Sequence, residues 1–220
     1  MKSLTLATFV KTPSLTPVKT RLAAGLGREL ANEFYALAIV AVEDVMKEAE
    51  RRGLCQPVWA VAEEEGLDSW CSFRSVAQGE GELGARLHRV YASLWRPGHA
   101  VALIGSDAPA MTSDHIAHTS TALADGYEFV MGPAIDGGFY LIAGRKPIPE
   151  ELWLGVRYSA SGTGDQLASA LTRLGSVAFL APLSDVDLVQ DLELLASALR
   201  ALSKPLPSQV AIQAWLSKHI

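Results

Sequence analysis

Three cations, Lys11, Lys19 and Arg21, fall within eleven residues near the start of this 220-residue chain, with Thr20 among the hydroxyls between them. Phosphate recognition needs such a set: lysine as a point charge, arginine as a two-pronged donor, and free backbone N–H groups where a helix begins. A solvated basic loop has the same composition, so this cluster alone leaves both readings open. Asp107, in Gly105-Ser106-Asp107-Ala108-Pro109, directly follows an apolar run. A carboxylate there is costly unless it is exposed or paired. It stands where Mg²⁺ or Mn²⁺ could bridge it to a diphosphate, since hard ions use one or two carboxylates plus substrate oxygens. The simpler reading is an Asp that opens a turn before Pro109.

Asp185 and Asp187 form a third cluster, with Asp191 and Glu193 following. Residues two apart in an extended strand face the same way, so the pair could present two carboxylates to one metal. Helix capping competes for Asp187, with Asp191 as a first-turn acid. In the fourth feature, Asp136-Gly137-Gly138, paired glycines allow a ligand close to the backbone, and Asp136 could bind or deprotonate an acceptor hydroxyl. The same triplet is a common hairpin turn.

Other groups point to less. His115 and His118 share a helical face without a third ligand, which is the pattern of satisfied or surface histidines. Cys55 and Cys71 form no C-x-x-C motif and read as two reduced thiols of a cytoplasmic protein. No Walker loop or Gly-x-Ser-x-Gly elbow occurs. That argues against P-loop and serine-hydrolase chemistry.

The elements that must position these groups alternate in type. Apolar runs at 4–10, 57–62, 99–104, 127–131, 139–143 and 177–181 read as strands, with a short one at 74–78. Helical periodicity covers 27–52, 82–95, 113–124 (with Ser113 as cap), 163–174 and 187–202, and a short amphipathic helix follows Pro205 and Pro207. Segments 79–81 and 145–151 read as loops. This order predicts a single-domain three-layer α/β/α sandwich with a mostly parallel sheet. Residues 1–202 would form the domain and 203–220 a helical tail, which Trp215 could use as a dimer contact or a lid. In an open sheet of this kind ligands lie beyond the carboxyl ends of the strands, where the polar clusters fall.

Composition sets the outer limits. Half of the chain is hydrophobic (49%) and its formal charge is −5, which disfavours a general nucleic-acid binder. Charge is uneven: residues 1–30 hold five cations (Lys2, Lys11, Lys19, Arg21, Arg28) against Glu29 alone, which suggests a local anion site on an acidic protein. The first apolar run is cut short by Lys11 and Pro13, so export is not expected, and no stretch approaches the ~20 apolar residues of a membrane span.

Taken in order, these motifs resemble the transferases associated with radical-SAM and selenodomain proteins, the arsenosugar-biosynthesis glycosyltransferase group. Phe9, Lys11, Pro13 and Val18 to Leu22 match that family's opening element, and Gln78, Leu83, Gly84 and Arg86 its Gln followed by Leu-Gly-x-Arg. Gly105 to Pro109 match Gly-Ser-Asp-x-Pro. Gly132 to Leu141 match Gly-Pro-x-x-Asp-Gly-Gly-Tyr-Tyr-Leu, with Phe139 for the first tyrosine. Asp185, Asp187, Asp191 and Leu192 match the terminal acids. The matches run over residues 4–195; Thr16 replaces a glycine, and Arg157-Tyr158-Ser159 replaces Trp-Ser-Thr.

The resemblance implies a nucleotide-diphospho-sugar transferase fold of the GT-A type. It further implies Lys11, Lys19, Thr20, Arg21, Gln78 and Arg86 toward nucleotide and phosphate, and Asp107, Asp187 and Asp185 toward Mg²⁺ or Mn²⁺. Asp136 is then the catalytic group, and Gly137, Gly138 and Tyr140 lie on the acceptor side. The substrates implied are a nucleotide-sugar and a small-molecule acceptor. Because the same fold serves nucleotidyltransferases, an NTP with a phosphorylated acceptor is the alternative, and a non-catalytic nucleotide-binding protein is the third.

Overall fold

The computed structural model describes residues 4–220, so Lys2 lies outside the described residues. Its elements run β1 (Leu4–Val10), α1 (Thr20–Leu26), α2 (Arg28–Arg51), β2 (Gln56–Val61), a 3-10 segment (Glu64–Ser69), β3 (Arg74–Ala77), α3 (Leu83–Leu94) and β4 (Ala100–Gly105). Then come α4 (Ser113–Ala124), β5 (Phe129–Pro133), β6 (Phe139–Gly144), α5 (Glu150–Leu154), α6 (Thr163–Thr172), β7 (Val177–Phe179), α7 (Asp191–Ala201) and α8 (Pro207–His219).

The seven strands form one sheet in the order β3-β2-β1-β4-β6-β5-β7. All neighbours are parallel except β6, which runs antiparallel to both β4 and β5. β1 lies inside the sheet between β2 and β4, and its residues alternate between the two faces, as the period-2 geometry of a strand requires. Leu4, Leu6 and Val10 pack with Val42, Val45 and Met46 of α2 and Ile116 and Leu123 of α4. Ala7 faces the other layer, with Leu87, Val90 and Tyr91 of α3, Trp153 of α5 and Leu167 and Leu171 of α6. This is the three-layer sandwich that the alternating pattern implies. Among the described residues no helix is long and apolar enough to cross a membrane.

A third cluster joins Leu22 of α1, Phe34 and Ala38 of α2, Leu192, Leu195 and Leu199 of α7, and Ile212 and Leu216 of α8. The C-terminal helix is therefore packed in place. Its buried Gln209 donates from Nε2 to the Pro109 and Met111 carbonyls (3.0 and 2.9 Å), and Trp215 Nε1 donates to Glu33 (3.1 Å). No α8 residue lines the cleft described below.

Several boundaries differ from the sequence reading. The last long helix begins at Asp191 and not at Asp187, because residues 187–190 form a bend and turn in which Asp191 folds back to accept the N–H groups of Asp187 and Leu188 (2.9 and 2.6 Å). Thr112, not Ser113, precedes α4; the His115 Nδ1 accepts the Thr112 N–H at 3.1 Å, which gives that histidine a structural partner. The expected loop at 145–151 ends in the first turn of α5, and helix α1 was not anticipated as a separate element.

Candidate active site

The carboxyl ends of β1, β2 and β4 open into a cleft of about 990 Å³. Lys11, Lys19, Thr20, Arg21, Gln78, Arg86, Asp107, Asp136, Gly138, Tyr140, Asp185 and Asp187 all line it. Gly137 lies in the turn between two of these residues. The cationic start of the chain thus meets acids from its middle and end in one place.

Contact between the two is direct. Lys19 Nζ lies 2.5 Å from Asp107 Oδ1 and 3.9 Å from Asp187 Oδ1, and it donates to the Val186 carbonyl at 2.5 Å. The Lys19 side chain is only 4% exposed. Arg21 Nη1 donates to Asp187 Oδ2 at 2.8 Å from a more exposed position. A backbone bond from the Val186 N–H to the Asp107 carbonyl (3.0 Å) holds the two acidic segments together. No side chain caps α7; Asp191 is an acid of its first turn, and Asp187 is left to face the cations.

Two side chains that the sequence did not single out shape the basic wall. The Tyr35 hydroxyl donates to the Lys11 carbonyl (2.9 Å) and accepts from its N–H (3.0 Å), clamping the loop after β1. Burial pushes that phenol up to about 12, so it stays neutral as a clamp. Glu63, just past β2, accepts the Thr12 N–H at 2.9 Å. Its signal was an acid directly after an apolar strand, the same one that marked Asp107. Tyr35 carried no such mark, because it sits beside the apolar stripe of α2.

Gln78 is buried and its amide is committed. Its Nε2 donates to the Ala60 and Val10 carbonyls (2.8 and 3.2 Å), and its Oε1 accepts from Arg86 at 3.4 Å. Arg86 also donates to the Gly81 carbonyl (2.8 Å), so Gln78 ties the ends of β1 and β2 to the guanidinium that opens α3. Tyr140 likewise has its hydroxyl occupied, donating to the Ala181 carbonyl at 3.0 Å.

On the opposite wall Asp136-Gly137-Gly138 is both turn and cleft lining. Asp136 Oδ1 accepts the Gly138 N–H (2.8 Å), and Gly137 has φ of +91°, which glycine adopts without strain. The turn is locked to α6 by a bond from the Gly164 N–H to the Gly137 carbonyl (2.8 Å). A Cβ on Gly164 would stand 2.6 Å from the Gly138 carbonyl oxygen, so the contact admits only glycine.

Asp185 is half-buried, and its carboxyl is raised to about 6, chiefly by burial and then by the charges of Asp136, Asp187 and Asp107. A folded-state value above the usual range means that the native protein binds this proton more tightly than the unfolded chain. The ionised form therefore costs stability above about pH 6, and the penalty fades as pH falls toward 4. Asp185→Asn is expected to stabilise chelator-treated protein by about 1–2 kcal/mol at pH 8, a figure halved for partial solvent screening, and by little at pH 4. Urea denaturation at the two pH values checks this.

The cleft's oxygen donors suit a hard cation. The ammonium of Lys19 already stands as a cation among two carboxylates and a carbonyl. Among the described residues no three His, Cys, Asp or Glu side chains converge on one ion position. Two carboxylates with substrate oxygens is the arrangement that Mg²⁺ commonly accepts. Elsewhere, both cysteines are free, and burial pushes the Cys55 thiol up to about 12.

Fold and cleft together define a single-domain protein of the nucleotide-diphospho-sugar transferase and cytidylyltransferase fold. It is similar over 100% of its length, at 23% identity and a TM-score of 0.83, to 99% of a Desulfovibrio desulfuricans G20 protein described as a candidate nucleotide-diphospho-sugar transferase. It is also similar to 4-diphosphocytidyl-2C-methyl-D-erythritol synthase of Anaerococcus prevotii DSM 20548, with 12% identity, 98% and 99% of the two chains and a TM-score of 0.56. A cytidylyltransferase of Leptospira borgpetersenii shows 11% identity, 99% and 95% coverage and a TM-score of 0.55. The chain belongs to the family described as "Uncharacterized protein conserved in bacteria (DUF2064)", whose profile matches residues 39–160, more than half of the chain. No curated protein matches it.

Proposed function

We propose that this protein moves a sugar from a nucleotide-diphospho-sugar to a hydroxyl of a small-molecule acceptor, with Mg²⁺ or Mn²⁺ as cofactor. The observation that carries the reading is the division of charge within the cleft. Its cations, Lys11, Lys19, Arg21 and Arg86, come from the loop after β1, from α1 and from α3. Among the described residues, the wall built from Asp136 to Tyr140, Tyr158 to Thr163 and Asp185 contributes no lysine or arginine to the cleft. A phosphorylated acceptor would meet carboxylates on that side, whereas a neutral hydroxyl would find Asp136.

In this reading Lys11, Lys19, Thr20, Arg21 and Arg86 bind the diphosphate, and Gln78 positions Arg86. Asp107 and Asp187, with Asp185 beside them, would hold the divalent cation. A metal bound there supplies charge stabilisation for the leaving diphosphate. Asp136 orients the acceptor hydroxyl and takes its proton. Gly137 and Gly138 let the acceptor approach the backbone, and Tyr140 supports that wall. Residues 1–202 act as the transferase unit and 203–220 as its buttress. A cytoplasmic location and a place in the arsenosugar-biosynthesis glycosyltransferase group belong to the same proposal.

Nucleotidyl transfer is the second reading, favoured by the fold shared with cytidylyltransferases. A thermal-shift screen of NTPs and nucleotide-sugars, with and without Mn²⁺, identifies the donor. A ligand held at 100 times its Kd stabilises the native state by about 2.7 kcal/mol. Turnover of that donor then separates the two readings. Release of a nucleoside diphosphate supports glycosyl transfer, and pyrophosphate release dependent on a second substrate overturns it.

A further inference from the structure

Lys19 does not stand where a simple phosphate ligand would wait. Its ammonium is turned away from solvent into a nest of three oxygens: Asp107 Oδ1, Asp187 Oδ1 and the Val186 carbonyl. Lys19 also has φ of +48°, a left-handed conformation that a side-chain-bearing residue rarely adopts, at the N-cap of α1. Backbone and side chain are thus both committed to inserting one positive charge between two carboxylates. The nest is supported independently, since Arg21 holds the far oxygen of Asp187 and the Val186 N–H is bonded to the Asp107 carbonyl.

We propose that Lys19 and a divalent cation are alternative occupants of this nest, so that Lys19 is a latch which leaves when the metal enters and then engages the donor's phosphates. The inference rests on the functional reading above and deepens it: metal loading and phosphate binding become one coupled event at Lys19. Arg21 reaches Asp187 from its far oxygen, but a divalent ion between Asp107 and Asp187 would take the position of the ammonium itself, and the two charges would repel strongly at that distance. The released side chain, on a loop that lines the cleft, carries its charge to where an anionic diphosphate adds its own attraction. Metal alone must work against the latch, whereas metal with nucleotide has a second site for the displaced ammonium, which is positive coupling between the two ligands.

The test uses the full chain and Mn²⁺ as probe, followed by electron paramagnetic resonance or calorimetry. Lys19→Met removes the competing charge and keeps much of the side-chain volume. Its affinity for Mn²⁺ alone is expected to rise at least about tenfold, a coupling within the usual range between linked sites. A nucleoside diphosphate should tighten Mn²⁺ binding to the native protein more than to the variant. Unchanged or weaker Mn²⁺ binding by a folded Lys19→Met protein overturns the latch.

A second measurement needs no variant. Reductive methylation of the native protein, mapped by mass spectrometry, should leave Lys19 protected in chelator and modify it several-fold faster with saturating Mn²⁺. Equal protection in both states overturns the proposal. Nucleotide binding in chelator, followed by thermal shift, separates the two levels of argument. If nucleotide binds but Lys19 does not respond to Mn²⁺, the latch alone fails. If neither nucleotide nor Mn²⁺ binds, the transferase reading fails with it.

Discussion

Asp107→Ala is expected to lower turnover of the identified donor by about 10³-fold while leaving the protein folded. Asp107 stands just past the central strand β4, within contact distance of Lys19, and its backbone carbonyl is tied to the 185–187 segment. Removing its carboxylate takes away half of the acidic pair and leaves Lys19 without its nearest partner. Losing one electrostatic contact to a developing charge costs about 10²–10³-fold in comparable sites, and loss of metal affinity adds to that. The effect on stability should be modest, because the carboxylate is 46% exposed and pairs at such positions contribute about 1 kcal/mol or less. Steady-state kinetics together with a melting curve make the test. A folded Asp107→Ala protein with near-native turnover would rule out the assigned role and favour the reading as a non-catalytic nucleotide-binding protein.

The second large effect is on stability. Gly137→Ala should destabilise the protein by about 3 kcal/mol or more, with loss of activity. Its φ of +91° already disfavours any Cβ by about 1–2 kcal/mol. The new methyl would also collide with the Ser161 carbonyl oxygen, a backbone atom that cannot step aside without moving the start of α6. Gly98→Ala is the control: φ is +81°, but nothing stands within 4 Å of the added Cβ, so only the conformational cost of about 1–2 kcal/mol applies. Urea denaturation of the two variants side by side gives the difference. Equal losses would mean that the Asp136 turn is not locked against α6 as described.

The two variants probe the walls of the cleft in different ways. Asp107 acts through charge, so its loss is expected to leave the packing around it in place. Gly137 acts through shape, and Asp136 can be aimed only if the turn beneath it keeps its place. A kinetic defect without unfolding in the first, and a folding defect in the second, would show that the basic and acidic walls are built by separate means.

Much of this was open to reading from the chain alone, for identifiable reasons. Parallel strands buried on both faces are short continuous apolar runs, and Leu4–Val10 is one, followed by a helix with an apolar stripe. Polar clusters after such runs mark strand ends, so Lys11, Asp107 and Asp136 stood out by position as well as by type. What local patterns do not carry is the pairing between distant segments. The antiparallel course of β6 cannot be told from its composition, since Phe139–Gly144 is as apolar as strands that pair in parallel, such as β1 and β4.

The limits are the same at the site. The order and chemistry of residue types determined that a basic loop, a set of carboxylates and a glycine turn would lie on one edge of an α/β sheet, because strand and helix periods are local properties. Only the folded chain decided that Lys19 would be turned inward onto Asp107 and Val186, that Arg21 would take Asp187, that Asp191 would fold back onto the Asp187 N–H, and that Gln78 would serve as a tether for Arg86. Those choices depend on segments up to 167 residues apart meeting in a part-buried space, where each charge takes whichever oxygen the packing leaves nearest.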